Sequence, residues 1–445
     1  MKGIRVETNF RNDIKLQEVG TFEFEKDTLT EWQTVNIYPN LKYQEWVGFG
    51  GAFTEAAGYT LSKMSPDKQD EMINAYFGEN GINYNFCRNH INSCDFALGN
   101  YAYVEDENDK DFETFNIDRD RQYIIPMIKK AQAVSKNKIR FLASPWSPPA
   151  FMKDTKMMNR GGKLLPEYYT PWAKYIARYI KEYKKEGIDI FVLTVQNEPN
   201  ATQTWDSCVY NGTEEMIFIR DHLAPVLKEE GLEDVKIMFW DHNKERVFER
   251  ACETMADKDA KDAIWGVAFH WYTGDHFEAL RMTKDMFPDK HLIFTEGCVE
   301  AYVMKDPIQN AERYAHDIIG DLNNGCDGFI DWNMFLDEIG GPNHVKNYCA
   351  APIQADTTKN EIIYNPTYYY IGQFSKYIPA GSVKIGSSSF SDKVEVTAFL
   401  TPENKRVVVA LNRSEDEWYF NLRDSGEVVQ HTIAPRSIIT LVYGD

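Results

Sequence analysis

Apolar residues recur through the middle of the chain in short unbroken runs. Eight stand out: residues 47–53, 84–88, 139–143, 190–196, 236–240, 265–270, 291–295 and 328–332. A strand covered on both faces loses its polar alternation, so these runs predict a buried parallel sheet. Helical patterns lie between them. One starts at Ser65-Pro66-Asp67, with a capping Ser and a Pro in the first turn. A second spans residues 166–186, where Tyr168, Trp172, Tyr175, Tyr179 and Tyr183 recur at steps of four and three. That stripe suits sugar stacking, but its helical period favours the buried face of a barrel helix. A third begins near Thr213-Glu214-Glu215, where acidic residues suit a helix N-terminus. Eight strand–helix alternations predict an α/β fold, a (β/α)8 barrel with insertions.

The two ends read differently. Ile4-Arg5-Val6-Glu7 and Phe22-Glu23-Phe24-Glu25 alternate with period two. Beyond Val383 come Val394-Glu395-Val396, Arg406-Val407-Val408-Val409, Trp418-Tyr419-Phe420 and Ile438-Ile439-Thr440, separated by turn residues. This is the pattern of an antiparallel sandwich. Residues 1–39 and 372–445 are therefore expected to form one discontinuous β-domain beside a barrel over 40–371.

Composition narrows the class. The 445 residues allow a large core and two domains. A net charge of −19 argues against a nucleic-acid or anionic-membrane partner. No apolar run approaches the length of a membrane span. The stretch MKGIRVETNFRNDIKLQEVG lacks the apolar core of a signal peptide, so a cytoplasmic location is expected. Cys87, Cys94, Cys208, Cys252, Cys298, Cys326 and Cys349 are odd in number and irregularly spaced. They read as reduced, buried apolar residues, not as a disulfide framework or a zinc site.

In such a barrel the chemistry sits at the C-terminal ends of the strands. Those ends carry Arg88-Asn89-His90 with Asp95 beyond, Ser144-Pro145-Trp146, Asn197-Glu198-Pro199 and Asp241-His242-Asn243. His270-Trp271-Tyr272, Thr295-Glu296-Gly297 and Asp331-Trp332-Asn333 follow. Each has a plainer reading. A lone Glu after a strand is often a solvated loop residue or cap, His270 could be a satisfied core histidine, and Arg88 could be a structural cation. Trp146 and Trp332 could be packing. Glu198 and Glu296 together are more specific, because strands four and seven would deliver both to one mouth. Two carboxyl groups so placed are what glycosidic cleavage requires, with a separation of about 5–5.5 Å for retention and more for inversion.

GFGGAFTEA (48–56), NFCRNHINSCDF (85–96), LASPWSPPAFMK (142–153), TVQNEP (194–199), AFHWY (268–272), TEGCV (295–299), DWNMFLDEIGGPN (331–343) and GQFSKYIPAGS (372–382) occur in this order. These motifs resemble glycoside hydrolase family 30, and within it the glucosylceramidase-like subfamily. The resemblance implies a retaining double displacement with Glu198 as acid/base and Glu296 as nucleophile. It implies that Asn197 binds the sugar 2-hydroxyl, that Arg88 and Tyr272 orient the nucleophile and that His270 lines the site. Asp95, Trp146 and Trp332 match the pocket for a terminal glucose. No metal or organic cofactor is implied. Glu198 is then expected to have a raised pKa, and Glu296 one held down by Arg88 and Tyr272. His344 stands where the animal enzymes carry Trp. That favours a soluble β-glucoside or short oligosaccharide over a ceramide. A β-xylosidase, a 6-deoxyglucosidase and a β-1,6-glucanase are alternatives on the same scaffold. A noncatalytic sugar-binding protein is the alternative from another class.

Overall fold

The computed structural model describes residues 1–301 and 306–444. Eight parallel strands close a barrel: Gly48–Phe53, Phe86–Ile91, Arg140–Pro145, Ile190–Thr194, Lys236–Asn243, Ile264–His270, His291–Glu296 and Gly328–Asn333. They are called strands one to eight below. Closure comes from strand eight pairing with strand one, with Phe329 opposite Phe49 and Asp331 opposite Gly51. Val47, Phe86, Leu142, Val192, Met238, Ala268, Ile293 and Ile330 form one buried cluster, one residue from each strand or its approach. This is the packed layer that fills a barrel of this size.

Strand one owes its glycines to close approach. A Cβ on Gly50 would lie 1.6 Å from the carbonyl oxygen of Phe86 on strand two. Outside the barrel, the helix Tyr169–Lys185 buries Trp172, Tyr175, Tyr179 and Tyr183 completely. The aromatic stripe is therefore core. The short helix Gly212–Ile217 starts with a reciprocal cap between Asn211 and Glu214. All seven cysteines are free, and six of them are buried. Among the described residues no helix is long and apolar enough to cross a membrane.

The chain ends meet in one ten-stranded sheet. Its order is Ile14–Glu23, Lys2–Asn9, Ser437–Gly444, Arg406–Asn412, Glu395–Leu400, Val383–Ser389, Thr34–Glu45, Trp418–Asp424, Glu427–Ile433 and Glu25–Lys26. The first and last strands run antiparallel, from Lys2 opposite Gly444 to Thr8 opposite Ile438. This sheet encloses a second core that includes Phe24, Val35, Ile37, Ile385, Val408, Phe420, Leu441 and Tyr443. Gln373, on the helix Pro366–Ser375, ties this sheet to the barrel. Its amide donates to Thr8 Oγ1 at 2.8 Å and accepts from Thr440 Oγ1 at 2.6 Å.

Candidate active site

Glu296 is the last residue of strand seven. Glu198 lies just past strand four, on a backbone with φ of +47°, a left-handed conformation uncommon for a residue with a side chain. Its amide donates to the carbonyl of Asp241 at 3.0 Å, which holds that turn against strand five. One oxygen of Glu198, one of Glu296 and a ring nitrogen of His270 all lie within 4.8 Å of one another.

Glu296 is held by two donors, Arg88 Nη1 at 2.7 Å and the Tyr272 hydroxyl at 2.8 Å. Arg88 is fully buried. Its Nη2 also reaches Asn197 Oδ1 and Asp241 Oδ2, both at 2.8 Å, and its Nε donates to Ser144 Oγ at 3.1 Å. The guanidinium stacks on Trp146, 4.7 Å from its ring centre, with Trp332 at 5.5 Å. Those two indoles stack on each other at 5.2 Å. They are thus packing and pocket wall at once.

Asp241 is the hub beneath these groups. Its carboxylate accepts from Arg88, from Ser144 Oγ at 2.9 Å, from Thr194 Oγ1 at 2.7 Å, from Thr295 Oγ1 at 2.6 Å and from His270 Nε2 at 3.0 Å. Trp240 and Asp241 both have positive φ, 71° and 51°, in the bend that brings this side chain among the strand ends. Burial would raise its pKa, but the charge of Arg88 and the His270 contact hold it well below the usual carboxylate range. Asp241 was visible in the sequence as a strand-end residue, but nothing in its spacing separated it from its neighbours.

The titration order differs from the expectation. Burial alone would lower the His270 pKa. The carboxylates of Glu296, Asp241 and Glu198 outweigh that and push it up to about 9. Burial would raise Glu198, but the hydrogen bond from His270 (3.3 Å) and the charges of His242 and His270 bring it down to about 2. Glu296 is raised: burial pushes it up, against His270 and Arg88. These contacts thus favour a protonated His270 beside an ionised Glu198 over the expected proton on Glu198.

Above these groups opens a cavity of about 300 Å³. Asp95, Trp146, Asn197, Glu198, Tyr272, Glu296 and Trp332 line it, while Arg88 and His270 lie in the layer below. Asp95 closes one side, accepting from Asn343 Nδ2 at 3.1 Å and Asn347 Nδ2 at 3.4 Å. Burial and the nearby Glu296 raise its pKa to about 8, against the hydrogen bonds from Asn347 and Asn343. The sequence did not single out Gln203, Trp205 and Glu300, which join the strand-five residues His242 and Asn243 in the wall. Gln203 and Trp205 come from a loop whose course no periodicity reveals.

A family model described as the glycosyl hydrolase family 30 TIM-barrel domain matches residues 46–378. A second, the family 30 beta sandwich domain, matches residues 381–441. The chain belongs to glycosyl hydrolase family 30. It is accordingly a glycoside hydrolase, an enzyme acting on carbohydrate. Its relatives match most of its length. The lysosomal acid glucosylceramidase of Mus musculus is 31% identical over 90% of this chain and 81% of its own. The crystal structure of SrfJ from Salmonella typhimurium is 38% identical, with a TM-score of 0.97 and both chains fully covered. The structure of the endo-beta1,6-glucanase BT3312 is 26% identical, with a TM-score of 0.90, covering 100% of this chain and 99% of that one.

Proposed function

We propose that this enzyme is an exo-acting, retaining β-glucosidase for soluble β-glucosides. Glu296 would serve as its nucleophile and Glu198 as its acid/base. One observation carries the reading: Glu198 and Glu296 approach within 4.8 Å around His270, and Glu296 alone is gripped by Arg88 and Tyr272. That closeness suits direct attack on the anomeric carbon and leaves no room for an intervening water, as inversion would need. The guanidinium and the phenol aim the Glu296 carboxylate and stabilise its charge as attack begins.

The leaving oxygen needs a proton. A sugar entering the cavity expels water from the Glu198–His270 pair. In the drier site a neutral pair is favoured over an ion pair, so the imidazolium passes its proton to Glu198. Glu198 donates it to the glycosidic oxygen as Glu296 bonds to the anomeric carbon. In the second step Glu198 takes a proton from water, and that water displaces Glu296. Asn197, fixed by Arg88 through its oxygen, keeps its amide protons for a sugar hydroxyl.

The walls speak for the substrate. The closed side at Asp95 suits a chain end, hence exo action. The open side presents Gln203, His242, Asn243 and Glu300 with one aromatic face, Trp205. Such a rim favours a polar aglycone over a ceramide. The similarity to BT3312 supports a second reading, action on a β-1,6-linked glucan. A 2-fluoroglucoside that traps the glycosyl-enzyme is expected to label Glu296, and mass-spectrometric labelling elsewhere would overturn the assignment. Glu198→Ala is expected to retain more activity on an activated aryl glucoside than on cellobiose, with partial rescue by azide. Hydrolysis of aryl glucoside, xyloside, quinovoside, glucosylceramide and β-1,6-glucan compared side by side decides the substrate.

A further inference from the structure

A cavity larger than the catalytic one opens elsewhere on the molecule. A cleft of about 640 Å³ lies at the seam between the barrel and the terminal sheet, below the starts of strands seven and eight. The barrel contributes Arg281, Lys284 and Asn323. The sheet contributes Tyr43 and Lys384. This is the end of the barrel opposite the strand ends that carry Glu198 and Glu296.

Lys384 is the unusual group. It is 4% exposed, and its ammonium donates to one backbone acceptor, the carbonyl of Ile385 at 2.5 Å. Among the described residues it has no carboxylate partner. Arg281 has none either, and its recorded contact is the Asn323 carbonyl at 2.6 Å. Lys284 is compensated weakly, by Asp327 at 3.5 Å. Asn323 Oδ1 is buried there without a partner. Burial and the neighbouring Arg281 together pull the Lys384 pKa down to about 8. A buried cation is normally paired, because leaving water without a counter-charge is costly. Two unpaired cations facing one cleft stand out further in a chain of net charge −19. Of the acids of the cleft, Asp327 is buried and engaged by Lys284, His291 and the Leu292 amide, while Glu45, Asp285 and Asp289 are exposed, so a compact ligand can pass them to reach Lys384.

We propose that this seam cleft binds a small phosphate-bearing ligand, with Lys384 on its floor and Arg281 and Lys284 on its wall. Two uncompensated cations match the charge of a phosphate dianion better than that of a carboxylate. The bound ligand would bridge barrel and sheet, so its effect is on stability and not on the chemistry at the far end.

Isothermal titration of the full chain with inorganic phosphate and with glucose 6-phosphate, at constant ionic strength, tests this. Saturable binding is expected for at least one of them, with glucose and acetate inert. Near pH 8 the titration in two buffers of different ionisation enthalpy should show proton uptake, because the anion restores the proton on Lys384. Lys384→Met and Arg281→Gln should each weaken binding by about tenfold or more. Arg281 is exposed, so Arg281→Gln remains informative if Lys384→Met fails to fold. No saturable binding of either inorganic phosphate or glucose 6-phosphate, binding of glucose as tight as that of glucose 6-phosphate, or unchanged affinity in a folded Arg281→Gln variant would each overturn the proposal.

Discussion

Asp241→Asn is the sharpest test of how the catalytic floor is held together. The side chain keeps its size but loses its charge. It also turns an NH2 toward a set of five donors, so at least one of them is left without an acceptor. Breaking a buried ion pair from one side costs about 3–5 kcal/mol. Part of that cost is linked to pH through His270. Its pKa rises from 6.5 to about 9 in the folded chain. The corresponding stability, on the order of 3 kcal/mol and shared among three carboxylates, is fully present below pH 6.5 and lost as pH rises through about 9. The variant should therefore be destabilised most at pH 6, with the deficit shrinking toward pH 9 or 10. Urea unfolding followed by tryptophan fluorescence across that range measures it. Because Asp241 does not line the cavity, kcat should fall about a hundredfold through misplacement of Arg88 and His270, with KM nearly unchanged. A deficit under about 1 kcal/mol at pH 6, or one that grows with pH, would refute the reasoning.

Other outcomes follow from the same structure. Gly50→Ala should lose about 3 kcal/mol in urea unfolding, because its Cβ meets the Phe86 carbonyl and strands one and two must part; a neutral result would mean that the barrel gives way there easily. If Asp95 is a neutral acid donating to the sugar, wild-type KM should rise above about pH 8, while Asp95→Asn keeps a flat KM from pH 6 to roughly 9. Steady-state kinetics at stepped pH would detect a parallel rise in both, which would be evidence against a protonated Asp95. Lys244→Met removes the buried cation between Asp317 at 2.5 Å and Asp321 at 3.0 Å. The loss should be about 3–5 kcal/mol at pH 7 and recede in acid as the two carboxyls protonate; thermal melts at both pH values test that direction.

The eight barrel strands were legible because burial on both faces writes itself as unbroken apolar runs. The observed strands shift those runs by a few residues at the ends. Strand four stops at Thr194, two residues before the run does, because the chain must bend early to set Glu198 at a left-handed φ. Glu198 and Glu296 were legible as carboxyl groups at strand ends. The order of their proton affinities was not, since it depends on His270 sitting between them and on a charge beneath it. Asp241 gathers donors from strands two, three, four, six and seven, and no local pattern announces such a gathering. The seam cleft is harder still, because Lys384 and Arg281 meet only through the packing of one domain on another.

The pairing of Lys2–Asn9 with Ser437–Gly444 sets a timetable for synthesis. The barrel is encoded between these strands and can close while the chain is still being made. The opening hairpin cannot find its neighbour in the sheet until some 430 residues later, because Thr8 waits for Ile438. At about 5–20 residues per second that delay is roughly 20–90 s. Throughout it the Lys2–Asn9 strand presents an unpaired edge, the kind of surface that invites misassociation. A nascent chain stalled just short of Ser437 should thus hold a finished barrel and an unfinished sheet, and chaperones that bind open strand edges would find their target at its first residues.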